Sequence, residues 1–371
     1  MHLRPLLACA LISATTTTVI AQDRSLEHPP RRVISIGNYP TVDGLRINFR
    51  DRELERVRGI NATVWAPKST EEADGTVTGV ALGLPMTAAG SVKGLSIGVF
   101  GVGANRSIEG IGLAGIGMGA GGSVRGIHAA GIGVGAGGDI RGLMIAGVGA
   151  GAGGDLRGIT IAGVGAGVGG NARGALIAGI GAGVGGYIRG LTVAGIGAAA
   201  GGSIQGITLA GIGAGAGGEL SGITVAGVGV GAGGSIRGLT VAGIGVGAGA
   251  GARGVTIAGI GVGSGATLDG ITIAGIGIGA DRIRKFAAAA AIGAERTNGV
   301  MIAPAWFRIE DGTARGVNVS SFNQVKGTQR GLAIGIVNYA RTLDGAQVGL
   351  INIANNAKVR VLPIANWART R

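Results

Sequence analysis

Cysteine is almost missing: Cys9 is the only one in 371 residues. A disulfide framework is therefore excluded, and thiolate zinc sites with it. Histidine occurs three times and nowhere clusters with acids, so no transition-metal or acid–base constellation is expected. Aromatic residues make up 3% of the chain and form no girdles of the kind that flank the strands of an outer-membrane barrel. Proline is sparse and no Gly-X-Y triplet repeats, which excludes a collagen helix. No serine sits in a nucleophile elbow, and no phosphate loop ends in Gly-Lys-Ser/Thr. Sequence alone assigns no catalytic, cofactor or metal residue.

Glycine, by contrast, is abundant, with 83 residues where about 7% is usual. Hydrophobic residues reach 46% at fixed positions, so disorder is not expected. A glycine recurs every sixteen residues from Gly94 through Gly110, Gly126 and Gly142 to Gly270. The consensus is [IVL]-[RK]-G-[IL]-T-[IV]-A-G-[IV]-G-x-G-A-G-G. A fixed period of this length marks a repeat architecture. Matches to G-x-G-x-x-G, as at 149–154, are by-products of the repeat. They lack the strand–helix context of a dinucleotide site.

Side-chain parity predicts how each repeat folds. Leu143 and Ile145 share one parity; Val148, Ala150 and Ala152 share the other. A straight strand would send the two sets to opposite faces. Bends at Ala146-Gly147 and Gly153-Gly154-Asp155 would bring both sets to one interior, with Gly147 at φ > 0. The expected fold is all-β: a glycine-rich β-solenoid with sixteen-residue rungs, in which identical positions stack into ladders. The residues expected inside are the Ile and Leu after the repeat glycine, the Ile and Val two further on, and Ile132, Val148, Val164 and Ile180. The Gly-Ala strand implies a thin cross-section. The alternative is an outer-membrane β-barrel, each repeat supplying one strand and its turn.

Four segments follow. Residues 1–21 read as a secretory signal peptide, with Arg4, an apolar core at 6–12 and cleavage after Ala21. Leu6-Leu7-Ala8-Cys9 resembles a lipobox, but too little apolar sequence precedes it. Residues 22–93 are a polar leader, with His28, and irregular outer rungs at Gly44, Gly59 and Gly79. Residues 94–285 are the regular repeats. Residues 286–371 are irregular C-terminal rungs and a cap, with units near Gly299, Gly316, Gly331 and Gly345. Lys285-Phe286 falls where Arg-Gly is due, 287–291 reads as an irregular rung, and Ile292-Gly293 realigns with Ile276-Gly277.

At the C-terminal end the pattern G-[LV]-x-[IV]-G-[LIV]-[IV]-N-x-A repeats at Gly331 and Gly345, and the chain closes Leu362-Pro363-Ile364-Ala365-Asn366-Trp367. These units, over residues 316–367, resemble a family of uncharacterised bacterial surface repeat-containing proteins. The resemblance implies an exported cell-envelope protein and carries no catalytic residue.

The formal net charge is +13. Lys93, Arg125, Arg141, Arg157, Arg173, Arg189, Arg237 and Arg253 precede the repeat glycine and form a basic edge in a stacked rod. The edge suits weak binding of envelope polyanions, lipopolysaccharide or acidic polysaccharide, with no specific nucleic acid. It also suits plain solubility. Glu109, Gln205, Ser221 and Asp269 interrupt it, and Asp139, Asp155 and Glu219 partly neutralise it. A threonine ladder (Thr160, Thr192, Thr208, Thr224, Thr240, Thr256, Thr272) is expected to face outward, with His128 at one of its positions. The functional expectation is an exported, non-enzymatic structural or adhesive envelope protein, with polyanions or a second copy as partner, at the cell surface, in the periplasm or secreted. A barrel pore or anchor is the alternative.

Overall fold

The computed structural model describes residues 32–65, 67–68 and 74–369. The signal-peptide, lipobox and His28 readings lie outside the described residues. The unit 32–371 is a parallel β-solenoid of about 19 turns. Each regular rung contributes two strand segments, such as Ile140–Ala146 and Gly149–Ala152. Their partners lie one rung away in parallel register, Ile140 opposite Leu156 and Gly149 opposite Gly165. Parallel stacking at a constant sixteen-residue offset overturns the barrel alternative, because hairpin-linked barrel strands alternate in direction.

The direction of the side chains departs from the parity expectation. Ile140, Met144, Ala146, Ala150 and Ala152 face the interior and are buried. Ile159, Ile161 and Val164, expected inside, are 46%, 37% and 41% exposed; Ile132, Val148 and Ile180 are exposed too. The cause lies in corner length. Three residues separate the inward side chains at every corner: Arg141-Gly142-Leu143, Gly147-Val148-Gly149 and Gly153-Gly154-Asp155. A three-residue corner preserves parity, so the inward set stays on even numbers throughout, and an even period passes it to the next rung. The interior is accordingly thin, holding in most rungs one Ile or Leu, one Thr or equivalent, and alanines, with a valine such as Val134, Val184 or Val230 in several rungs.

Glycine is needed at the corners because of the neighbouring rung. A Cβ on Gly142 would lie 2.0 Å from the Gly126 carbonyl oxygen, and one on Gly147 would lie 1.9 Å from that of Gly131. Both hypothetical methyls point along the stacking axis into backbone. The positive φ belongs to the repeat-glycine column, +121° at Gly142, and not to Gly147 as expected. Only the close approach holds at Gly147.

At the N-terminal end Gly44, Gly59, Gly79 and Gly94 stack in register, so they are the forerunners of the column. At the other end Gly299, Gly316, Gly331 and Gly345 continue it at positive φ. Lys285, φ +75°, itself stands opposite Gly270, which puts Arg284 at the basic position; the rung is one residue short of the expected Arg-Gly alignment. Residues 287–291 belong to no helix; 287 and 288 end the strand Gly277–Ala288, 291 begins the strand Ala291–Ile309, and only 289 and 290 lie between them. Ile292 pairs with Ile278 instead of Ile276, two residues later than expected. The strand Val361–Ala368 turns back antiparallel on Val337–Ala354, a change of direction that ends the parallel stack.

Candidate binding faces

The basic edge is built by register. Arg125, Arg141, Arg157, Arg173 and Arg189 are consecutive partners, and all eight basic residues of the stripe are exposed. Neighbouring charges lie about 4.8 Å apart at the backbone. Local partners offset much of this repulsion. Arg141 pairs with Asp139 at 3.2 Å, Arg157 with Asp155 at 3.6 Å, Arg237 with Glu219 at 3.2 Å, and Arg125 reaches Glu109 at 3.9 Å. Arg189 donates two hydrogen bonds to the Gln205 carbonyl, and Arg173 lies against the Tyr187 ring and hydroxyl. Of the interrupting residues, Glu109 and Gln205 therefore serve as partners of the edge, while Asp269 pairs with Lys285 at 3.1 Å. Among the described residues Lys93 and Arg253 find no ion-pair or side-chain hydrogen-bond partner.

The acids do a second job at the corner. The backbone N–H of Asp155 donates to Asp139 Oδ1 at 3.0 Å, that of Asn171 to Asp155 Oδ1 at 2.9 Å, and that of Tyr187 to Asn171 Oδ1 at 3.1 Å. The Asn171 N–H, with the Asn171 side chain and nearby Arg157 and Arg173, holds the Asp155 carboxyl below its ordinary range.

The second face is apolar, and sequence reasoning placed it inside. Leu143, Ile159, Ala175, Leu191, Ile207 and Ile223 form one outward column, and Ile145, Ile161, Ile177, Val193 and Leu209 form another. A third runs along the adjoining corner from Ile116 to Ile276. Its backbone is hydrogen-bonded rung to rung, as in Val148 N–H to Ile132 O at 2.8 Å. Eleven rungs from Gly110 to Gly270 carry this face, about 50 Å of rod at 4.8 Å per step. Beside it, Gly149 and Gly151 point outward with no atom closer than 3.8 Å to a hypothetical Cβ, and Ala199 occupies the same column. The signal available in sequence was the three-residue spacing of corners, which fixes the inward parity.

Polar groups sequence reasoning placed outside are inside. Thr160, Thr192, Thr208, Thr224, Thr240, Thr256 and Thr272 are buried, which removes the outward threonine ladder. His128 keeps its predicted ladder position and is fully buried. Its Nε2 donates to the Arg125 carbonyl at 3.0 Å, Nδ1 has no partner, and burial pushes its pKa down. Gly112, one rung earlier, makes room: a Cβ there would lie 2.5 Å from His128 Nδ1.

Two buried polar ladders add to these, one without periodic signal in the sequence and one on the Asn of the C-terminal motif. Near the N-terminal end Arg46 and Asp51 form an ion pair with both side chains at 0% exposure. Asn48 Nδ2 donates to Asp51 Oδ1 at 2.8 Å, Asn61 Nδ2 to Asp51 Oδ2 at 3.1 Å, and Thr63 Oγ1 to Asn48 Oδ1 at 2.7 Å. Near the other end Asn323 Nδ2 donates to Asn338 Oδ1 at 2.7 Å and Asn338 Nδ2 to Asn352 Oδ1 at 2.8 Å. The Asn of the C-terminal motif is thus a buried rung-to-rung connector. Among the described residues no three His, Cys, Asp or Glu come together as a metal-binding group. No protein-family model, curated protein or solved structure matches the chain.

Proposed function

We propose that the protein is an exported, non-enzymatic structural or adhesive element of a bacterial cell envelope, and that it works by laying its apolar face against a second copy. The observation that carries this reading is the three-column apolar face. An exposed apolar patch on a monomer is ordinarily a few hundred Å². Here a strip about 17 Å wide and 50 Å long amounts to roughly 800 Å² per copy, the area each partner contributes to a stable interface. Columns of one spacing on both copies interdigitate by construction, and the basic edge beside Leu143 and Ile159 supplies a charged rim. Export rests on the signal-like residues 1–21, and the envelope on the resemblance of residues 316–367 to bacterial surface repeats.

Sedimentation of the wild-type chain is expected to give a concentration-dependent dimer or higher species. Replacing Ile161, Val193 and Val225 by lysine should leave monomers with unchanged circular dichroism. A wild type that stays monomeric at high concentration sinks the reading.

The basic edge supports weak, non-selective retention on lipopolysaccharide or acidic polysaccharide, because its arginines are largely partnered by neighbours. Retention on heparin should fall steeply with salt, screened over about 10 Å at 0.1 M, and Arg141→Glu, Arg157→Glu and Arg173→Glu together should abolish it. Tight, sugar-selective binding that survives high salt contradicts this part.

A further inference from the structure

A different group of arginines lies where the period breaks. The corner residues Lys285, Gly299 and Gly316 no longer keep the sixteen-residue spacing. The offset opens a cleft whose rim carries Arg282, Arg284, Arg296 and Arg315. Arg282 is in register with Arg296, Arg284 with Asn298, and Asn298 with Arg315. At about 4.8 Å per step, four guanidinium-bearing positions fall on three successive rungs, two steps or roughly 10 Å along the stack.

None of these four guanidinium groups takes part in an ion pair or hydrogen bond among the described residues. On the regular edge the arrangement is opposite, since Arg125, Arg141, Arg157 and Arg237 each face a carboxylate. The carboxylate that register would offer Arg284 is Asp269, and it is held by Lys285 Nζ at 3.1 Å. That lysine adopts φ +75°, a conformation L residues rarely hold, where all other members of the column are glycine. Asp311 lines the cleft without pairing to any of the four; Asp281 and Glu295, next to Arg282 and Arg296 in the chain, do not pair with them either. On the floor Thr297 is 3% exposed, and its Oγ1 has no hydrogen-bond partner.

We propose that this cleft binds a ligand carrying two adjacent tetrahedral oxyanions, such as a diphosphate or neighbouring phosphate esters. Four unpaired guanidiniums this close repel one another, and an anion relieves that repulsion. Guanidinium forks match phosphate oxygens in pairs. The Arg282–Arg296 and Arg284–Arg315 sets form two such groups, which suits two linked anions better than one. The proposal is independent of retention along the regular edge, because most arginines of that edge are partnered and none of these four is.

Calorimetry of the full chain with inorganic pyrophosphate and with orthophosphate, at about 0.15 M salt, tests it. Pyrophosphate should bind at least about tenfold more tightly than orthophosphate. The pair Arg296→Gln and Arg315→Gln should weaken it at least about tenfold, and Arg296→Lys with Arg315→Lys should recover only part of the loss. The edge triple Arg141→Glu, Arg157→Glu, Arg173→Glu should leave pyrophosphate binding intact, even if heparin retention is absent from the start. Co-sedimentation with vesicles bearing phosphate-monoester headgroups, suppressed by pyrophosphate, places the ligand on a lipid surface; pyrophosphate binding without vesicle retention makes it soluble. No pyrophosphate binding, or binding unchanged in the Gln pair, overturns the proposal.

Discussion

Gly147 and Gly151 stand four residues apart and answer a methyl group in opposite ways. The Gly147 methyl runs into the Gly131 carbonyl, whereas nothing within 3.8 Å opposes one on Gly151. Gly147→Val should therefore destabilise the chain by about 3 kcal/mol, and Gly151→Ala should stay within about 0.5 kcal/mol. Chemical denaturation of both variants checks this, and similar midpoints contradict the corner assignment. The same scale holds His128. Its folded-state pKa is lowered by burial, so the fold favours the neutral ring. An unfolded imidazole takes its proton near pH 6.5. Stability contributed by the neutral ring is thus complete above about pH 6.5 and is lost as pH falls through that value towards the folded pKa. Between about pH 7.5 and 5.5 the wild type should lose stability. His128→Thr, which restores the ladder's own residue, should flatten that loss; an unchanged slope contradicts the buried neutral ring.

Among elements, the regular rung was legible in sequence and its sidedness was not. The sixteen-residue column, two of the three corners, the thin Gly-Ala strand and the irregular outer rungs follow from spacing alone; the third corner, at Arg141-Gly142-Leu143, was not anticipated. Sidedness depended on one integer, the number of residues a corner uses between inward side chains. Taking a bend to switch parity placed Ile161 inside and Thr160 outside, and the structure reverses both. Hydrophobicity could not arbitrate, because Ile, Val and Thr all suit strands. The arginine edge was readable because a charge at a fixed column must face water. The partner side chains Gln205 and Glu109 looked like interruptions only while treated as a list. The N-terminal rungs hide a feature with no periodic signal, the buried Arg46–Asp51 pair. Asp51→Ala leaves that guanidinium buried without a counter-charge, so the fold should lose about 3–5 kcal/mol. Asp51→Ala with Arg46→Met should recover much of this loss. A double variant as unstable as the single one contradicts the account.

At the scale of the whole solenoid, the lining of the interior and the chemistry of the exterior are one choice. A thin core filled by alanine, threonine and one or two larger apolar residues per rung leaves the remaining Ile, Leu and Val to face outward. Stacking then copies them into flat columns. Such a surface is costly in water as a monomer and suited to lateral packing, as each copy presents the same repeat. The open corner near Arg282 and Arg296 exists only because the period slips there. Departures from the repeat are thus where selective chemistry is to be sought.

The most direct measurement compares two adjacent residues. In a chain with Cys9→Ser, single cysteines are introduced as Thr208→Cys or Leu209→Cys, and native-state maleimide reaction rates are measured in dilute solution. Leu209→Cys should react at close to the rate of an exposed thiol, and Thr208→Cys should be protected until the chain unfolds. Faster labelling at position 208 than at 209 contradicts the inward threonine, the outward apolar columns and the packing face built on them.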